Sequence, residues 1–291
     1  FWPLMTLIAL SPFLFYYFRF KLNKQKYEFQ QQLALEQQRS KITADLHDEI
    51  GASLSSLQIN SAVASFLIEK NPVEAQKILE KIESQSEHLS DKIGDIIWDE
   101  IERNENVIYD DSIVSTLDSL LLPLCEANNI ERDSLKVHIV KNSQVNAFAM
   151  PDNHLVVYSG LIEASKNEQA LLGVLGHEMA HIEKNHVMKK LSKEIGFSVL
   201  VSMATGANGS QIAEVLNTLT SSAYDRSLER EADMESVRYM LKAKIDPRPF
   251  ADFMYELSLD NEMHKYTYLI TTHPEAEDRA KYILNYLKGK K

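Results

Sequence analysis

Residues 165–191 read SKNEQALLGVLGHEMAHIEKNHVMKKL and contain the motif that decides the fold of this protein. Ser165, with a glutamate three residues later, matches a capping box and predicts a helix that runs to about the end of this stretch. His177 and His181 are four residues apart, so a helix places both imidazoles on one face, where they can converge on one cation. Glu178 lies beside them, which completes the HExxH pattern typical of zinc peptidases.

A catalytic zinc site needs a third protein ligand and an open position for water. A histidine at the HExxHxxGxxH spacing is not available, because that position is Val187; His186 is read as a residue that supports a ligand or lies at the surface. Glu229 and Asp233 lie four apart in a predicted helical stretch, residues 224–244. We therefore expect Glu229 to complete the ligand set and Asp233 to accept the spare N–H of a ligand histidine.

The residues before this motif predict a small sheet. Lys136–Val140 and His154–Tyr158 are rich in β-formers, and residues 151–153 between them form a turn signal. Residues 111–128 predict an amphipathic helix ahead of the first strand. The rear part of the chain is thus expected to be mostly helical with a small sheet.

Composition excludes several functional classes. The chain has 291 residues, which at about 150 residues per domain suggests two domains. With 31 Lys and Arg against 42 Asp and Glu, the net charge of −11 argues against a dedicated nucleic-acid partner. One cysteine, Cys125, excludes an internal disulfide and a CxxC zinc site, and the common nucleotide-binding fingerprints are absent from the sequence.

Residues 1–18 carry no charge, and Arg19 and three lysines follow directly. Such a length is near the minimum for a membrane-spanning helix, and basic flanks favour a cytoplasmic exit. Residues 1–19 are therefore predicted to be a truncated transmembrane segment that makes the membrane a partner. A buried apolar helix or a signal peptide is the alternative.

Residues 20–99 form a predicted second unit, an all-α helical hairpin. Apolar residues recur at helical spacing from Ile42 to Leu57 and again from Ile78 to Ile96. Asn71, followed by proline and by a glutamate at the third position, predicts the start of the second helix. Two helices with one apolar stripe each predict a homodimer in the form of a four-helix bundle.

The hairpin resembles the dimerisation and phosphoacceptor region of sensor histidine kinases, on the strength of LHDEIG at residues 46–51 and DIIW at residues 95–98. The resemblance implies that His47 accepts a phosphoryl group and that Asp48 orients its ring. No ATP-binding motif follows in the sequence, so this chain is not expected to phosphorylate itself. The hairpin is then a dimerising stalk, an acceptor phosphorylated in trans, or half of a fusion.

Residues 105–291 resemble the zinc metallopeptidase family of the HtpX heat-shock protease and the CAAX prenyl endopeptidases. The resemblance rests on HEMAH, on RxxExxAD at residues 226–233, on NAFAMPDNHLVVYSGLI at residues 146–162 and on THPEAEDR at residues 272–279. It implies an α+β zincin-like metallopeptidase domain, with the soluble quality-control members as the nearest type.

The resemblance also implies roles for individual residues. The three ligands of one zinc ion per chain are His177, His181 and Glu229, and the general base is Glu178. Asp233 and Arg226 support the ligands. His273 lies near the cleft, where it contacts the metal at rest or the oxyanion in turnover; a helix-capping role is its alternative. A strand formed by Asn146, Ala147, Phe148 and Ala149 pairs with an extended substrate.

The sequence therefore predicts a zinc-dependent metalloendopeptidase that cleaves internal peptide bonds of unfolded or membrane-associated proteins by a glutamate-assisted zinc–water mechanism. Tyr224, Arg226 and His273 are alternative donors to the oxyanion. Two readings compete with it: a two-component signalling protein that acts through His47, and a binding scaffold with a silent zinc site. We expect a bacterial inner-membrane anchor with the rear domain in the cytoplasm, or alternatively in the periplasm.

Overall fold

The computed structural model describes residues 60–61, 63–196, 199–200, 203, 209–259 and 267–289, together with the isolated positions 21, 24 and 26. The predicted membrane segment at residues 1–18 and the predicted phosphoacceptor pair, His47 and Asp48, lie outside these residues. Within them the chain is mostly helical with a small mixed sheet, which confirms the predicted composition of the rear part. A helix long and apolar enough to cross a bilayer does not occur among the residues described.

The second hairpin helix, α1, spans Pro72–Asn104. The side chain of Asn71 accepts a hydrogen bond from the backbone N–H of Glu74 at 3.3 Å, as the capping pattern predicts. Ile93 and Ile97 in its second half are fully buried against the sheet of the rear part. Part of the stripe that was expected to face a second chain is therefore covered by the same chain.

Four strands form the sheet in the order β1-β2-β4-β3. These are β1 (Val107–Ile108), β2 (Lys136–Val140), β3 (Ala147–Ala149) and β4 (His154–Tyr158), and helix α2 (Asp111–Asn128) lies between the first two in sequence. β2 and β4 run parallel, whereas β1 and β3 pair antiparallel with their neighbours. β3 is thus an edge strand beside a fully buried central strand.

Eight further helices follow the sheet: α3 (Ser159–Ala164), α4 (Glu168–Glu183), α5 (His186–Glu194), α6 (Gly209–Ser221), α7 (Arg226–Lys242), α8 (Arg248–Leu259), α9 (Thr267–Thr272) and α10 (Ala276–Gly289). α4 is central, since it packs against α7, α8 and strand β3. Gly173 lets α8 approach closely, because a Cβ there would lie 2.3 Å from the Cβ of Phe250. Ser236 of α7 donates a hydrogen bond to the carbonyl of Gly173 at 2.7 Å.

Two details of the central helix differ from the sequence prediction. The capping side chain is that of Asn167, which accepts a hydrogen bond from the N–H of Ala170 at 2.8 Å, so the cap lies two residues after the predicted cap at Ser165 and the helix begins at Glu168. The helix also ends at Glu183 rather than near residue 191. Asn185 takes a left-handed conformation with φ of 54°, which asparagine tolerates and which breaks the helical ladder.

Candidate active site

Three elements bring the candidate site together. α4 supplies His177, Glu178 and His181, α7 supplies Glu229, and the segment between α9 and α10 supplies His273. All five side chains are buried, with no more than 3% of each exposed. Charged and imidazole groups at this depth need partners or a metal ion.

The four side chains that carry donor atoms for a metal converge on one point. Nε2 of His177 lies 3.0 Å from Nε2 of His181, which in turn lies 3.3 Å from Oε1 of Glu229. Nδ1 of His273 lies 2.9 Å from the same carboxylate oxygen and 3.2 Å from Nε2 of His177. One atom from each residue falls within 4.8 Å of all the others.

This donor set fits a divalent cation. Burial lowers the pKa of His181 well below its usual value, so its ring is neutral and offers a lone pair. Burial pushes the pKa of Glu229 upward, but His273 and Arg279 outweigh it and hold that pKa well below its usual range. Oε2 of Glu229 accepts no well-directed hydrogen bond from a described residue, although the guanidinium of Arg279 lies within ion-pair distance of it. Neutral imidazoles and an ionised carboxylate are the ligands that zinc takes in catalytic sites.

Asp233 and Arg279 form a charged layer behind the cluster. Oδ1 of Asp233 lies 2.8 Å from Nδ1 of His177. Burial disfavours charge on His177, yet the carboxylate of Asp233 outweighs it and raises the pKa of His177. Arg279 donates to both oxygens of Asp233 at 2.8 and 2.6 Å and lies 2.8 Å from Oε2 of Glu229 as an ion pair. This layer points Nε2 of His177 toward the other donor atoms.

Glu178 lies next to the cluster and is held by the sheet. Its Oε2 accepts a hydrogen bond from the backbone N–H of Ala149 at 3.0 Å. Its Oε1 lies 3.3 Å from Nε2 of His273 without forming a hydrogen bond to any described residue. One oxygen is thus fixed by the edge strand and the other is free to exchange a proton.

Tyr224 and Lys190 close the other side of the cluster. The ring of Tyr224 stacks on His181 with 3.9 Å between centroids, and Nζ of Lys190 lies 4.2 Å from the centre of the Tyr224 ring. Burial lowers the pKa of Lys190 to about 8. It raises that of Tyr224 well above its usual value, so the phenol keeps its proton.

Of the other residues predicted to belong to the site, Arg226 lies away from the cluster and His186 lies against it. Arg226 is not brought to the cluster: its side chain is 82% exposed and forms an ion pair with Glu275, because it is the first residue of α7 and lies beyond the buried face. His186 is buried rather than at the surface, and its Nδ1 lies 3.1 Å from Nδ1 of His181. It therefore contacts a member of the cluster from outside.

The predicted substrate strand lies directly beside the cluster. Ala147, Phe148 and Ala149 form β3, and Asn146 precedes it with a buried side chain whose amide atoms have no hydrogen-bond partner among the described residues. A cavity of about 310 Å³ adjoins the strand and is lined by Phe148 and by residues of α1 and α6, including Ile101 and Leu216. The structure thus brings the strand, Glu178 and the four donors together.

Arg279 and Tyr282 also contact the site, although the sequence motifs predicted no role for either. The guanidinium of Arg279 contacts two carboxylates of the site, and the phenol of Tyr282 donates a hydrogen bond to Asp233. Arg279 is the last residue of the THPEAEDR motif, six residues after His273. Its place in that motif was the sequence feature that could have indicated a role in the site. A spacing of six residues across the start of a helix does not fix the distance between the two side chains, so the contact could be seen only in the folded structure.

Comparison with protein-family models matches residues 114–287 to peptidase family M48 and residues 38–100 to a histidine kinase family. The second match overlaps α1 and the sequence around His47. Both resemblances drawn from the motifs are thereby confirmed at the level of the family.

Curated relatives are proteases by name. The chain is 25% identical to the beta-barrel assembly-enhancing protease of Yersinia pestis over 64% of this chain and 41% of that protein. It is 25% identical to the mitochondrial metalloendopeptidase OMA1 of Bos taurus over 74% of this chain and 45% of that protein. It is 28% identical to the metalloprotease LoiP of Escherichia coli K12 over 54% of this chain and 64% of that protein.

The chain thus spans less than half of the length of the first two relatives. The region that matches the family model, residues 114–287, contains all four donors of the buried cluster: His177, His181, Glu229 and His273. Because the family model covers more than half of the residues, the chain belongs to peptidase family M48, a family of zinc metallopeptidases.

Proposed function

We propose that this chain is a zinc-dependent metalloendopeptidase that hydrolyses internal peptide bonds. The observation that carries the proposal is the buried convergence of His177, His181 and Glu229 beside Glu178. The three would hold the ion, and His273 is a fourth donor at rest. When bound, zinc polarises a carbonyl and makes a water molecule more acidic.

The chain's own residues handle the proton and the charge. Glu178 takes a proton from water through its free oxygen and later gives it to the leaving amine. The N–H of Ala149 fixes the other oxygen, which keeps the carboxylate aimed at the cluster. His273 and the protonated phenol of Tyr224 are the two candidates to donate a hydrogen bond to the oxyanion.

We propose that the substrate binds as an extended segment along β3. Its side chains are buried, which leaves the backbone of an edge strand as the part that can pair with another chain. Strand pairing recognises the backbone of the substrate and depends little on its sequence. Such recognition would allow the enzyme to bind many unfolded or membrane-associated proteins. The neighbouring cavity offers room for a substrate side chain beside Phe148.

Glu178→Gln tests this function. The variant is expected to retain zinc and to lose cleavage of unfolded casein, because the amide cannot accept the proton. Glu229→Ala is expected to lose zinc as well as cleavage. Glu168→Gln, at the exposed start of the same helix, is the control and keeps both. Normal cleavage by Glu178→Gln would contradict the assignment of the base.

The match to a histidine kinase family supports a second role for the front of the chain. We propose that the hairpin dimerises the protein and that His47, with Asp48, accepts a phosphoryl group from a separate kinase. Incubation with such a kinase and labelled ATP is expected to label the chain and not His47→Gln. Equal labelling of both would leave the hairpin as a dimerising stalk.

The location of the protein is also a proposal. We propose that residues 1–18 anchor the chain in a bacterial inner membrane and that the peptidase faces the cytoplasm. Carbonate-resistant sedimentation with membranes, followed by protease protection of sealed vesicles, tests the two parts separately. Cleavage of the rear domain from the outer side of the membrane would place it in the periplasm.

A further inference from the structure

A second group of metal-binding side chains lies where α1 crosses the turn before β4. Asp95 belongs to α1, Asp152 to the turn, and His154 is the first residue of β4. Nε2 of His154 lies 3.6 Å from Oδ2 of Asp152 and 4.0 Å from Oδ1 of Asp95. One donor atom of each falls within 4.8 Å of the other two.

His154 is the informative member of this group. Its side chain is only 2% exposed, yet its Nε2 has no hydrogen-bond partner among the described residues. Nδ1 of the same ring lies 3.0 Å from Nε2 of His138, whose ring stacks on Trp98 with 3.5 Å between centroids. The contact of Nδ1 with His138 fixes the orientation of the His154 ring, and Nε2 therefore faces the carboxylates of Asp95 and Asp152.

Neither neutral form of His154 satisfies this geometry. If the proton is on Nδ1, it can be donated to His138, and the lone pair of Nε2 then faces two carboxylates. If the proton is on Nε2, its nearest carboxylate oxygen is 3.6 Å away, which is too far for a hydrogen bond. Buried polar atoms without partners are rare, and an unseen ion is one of their regular explanations.

A cation at this point would satisfy all three groups. Zinc takes imidazole nitrogen and carboxylate oxygen at about 2.0–2.2 Å, which places neighbouring donors roughly 3.3 Å apart in a tetrahedral site. The separations of 3.6 and 4.0 Å from Nε2 of His154 would therefore have to contract by roughly 0.3 and 0.7 Å. Asp95 can supply the larger contraction, because its side chain is 67% exposed and free to rotate.

Lys136 is the cation that the structure places against these carboxylates. Its ammonium forms an ion pair with Asp152 and lies 3.7 Å from Oδ1 of Asp95. The side chain of Lys136 is 41% exposed, so it can swing into solvent when another cation binds. The lysine and a metal ion therefore compete for one position.

We propose that Asp95, Asp152 and His154 form a second zinc site that shares no ligand with the candidate catalytic site. His138 supports it by accepting the Nδ1–H of His154, as residues behind metal-bound histidines do. Asp95 lies in the region that matches the histidine kinase family, and the other two lie in the region that matches family M48. The ion would therefore join the hairpin to the peptidase.

Zinc titration of the metal-free full chain tests this site. The wild type is expected to bind two zinc ions per chain, and Asp95→Asn is expected to weaken one binding event by at least about tenfold while leaving the other unchanged. Lys136→Gln, which removes the competing cation, is expected to strengthen the same event. Asp99→Asn, one turn further along α1 and exposed, is the control that changes neither.

The two sites can be separated in the experiment. In His181→Ala the candidate catalytic site is disabled, and one zinc ion per chain is expected to remain. Cobalt bound to that variant is expected to show visible absorption bands that disappear with the additional change Asp95→Asn. One zinc ion in the wild type and none in His181→Ala would overturn the proposal, as would binding that does not respond to Asp95→Asn and Lys136→Gln.

Discussion

Asp233 is the residue that orients His177, since the two side chains are 2.8 Å apart and both are buried. Asp233→Asn keeps the shape but removes the charge that faces Arg279 and His177. We expect zinc affinity to fall by about 10- to 100-fold, the usual cost of removing the partner of a ligand histidine. Competition with a chromogenic chelator measures it.

The control for this change is Asp246→Asn, which alters a partly exposed carboxylate at the start of α8 that pairs with Arg248. Its zinc affinity is expected to match that of the wild type. If Asp233→Asn also bound zinc normally, the ring of His177 would be held by its other contacts and not by the carboxylate.

Lys190 is a buried cation with a pKa lowered from 10.5 to about 8. The unfolded chain holds this proton more tightly than the folded chain does. The free energy of unfolding is therefore highest above pH 10.5, where the lysine is neutral in both states, and it decreases as the pH falls from there to about 8. Below about pH 8 the folded protein carries the full free-energy cost of burying a charged ammonium group. Lys190→Met is therefore expected to stabilise the metal-free protein at pH 7 by up to about 3 kcal/mol.

Urea unfolding at pH 7 and at pH 10 measures the gain from Lys190→Met. The gain is expected to shrink to a small fraction at pH 10, where the unfolded lysine also begins to lose its proton. Lys189→Met changes the neighbouring lysine, which is exposed, and is expected to have little effect at either pH. An equal gain at both values would mean that packing, and not charge, sets the effect.

At the scale of the element, Gly94 sets how closely α1 approaches the sheet. A Cβ at this position would lie 2.5 Å from the carbonyl oxygen of Pro151 and 2.6 Å from the Cβ of Asp152. An alanine in place of a helical glycine usually stabilises a helix by about 1 kcal/mol. Here we expect Gly94→Ala to destabilise the protein by about 1–3 kcal/mol, because α1 must shift away from backbone atoms.

Thermal unfolding of the full chain checks the sign of this effect. Ser86→Ala, at an exposed position of the same helix, is the matched control and is expected to be neutral or slightly stabilising. A stabilising Gly94→Ala would show that α1 does not pack closely on the turn at residues 151–153.

At the scale of the whole molecule, the proposed dimer makes a prediction about the apolar residues near the start of α1. Large apolar side chains in this region have between 38% and 69% of their surface exposed: Val63, Phe66, Ile68 and Val73. We expect light scattering to give about twice the chain mass of 33.2 kDa. Phe66→Glu is expected to lower the mass toward that of one chain, because a charge cannot be buried between apolar side chains.

Tyr255→Glu is the control for this change, since Tyr255 is 45% exposed on the rear part of the chain. It is expected to leave the mass unchanged, and neither variant is expected to alter casein cleavage. A mass of one chain for the wild type would contradict dimerisation through the hairpin.

The sequence by itself determined those parts of the site that lie within a single helix. His177, Glu178 and His181 on α4 and the pair of Glu229 and Asp233 on α7 follow from the helical period, which fixes the relation of residues four apart. The start of α1 at Asn71 followed in the same way, because a cap is a contact between near neighbours in the chain.

Only the tertiary structure decided which distant residues complete the site. Arg279 reaches His177 across 102 positions of sequence, and Arg226, three residues before Glu229, turns out to solution. The same holds for Leu89 and Ile93, which belong to the predicted apolar stripe, because the spacing of a stripe does not determine which residues bury it. Local periodicity is set by backbone geometry, whereas the partner of a buried face depends on how whole elements pack.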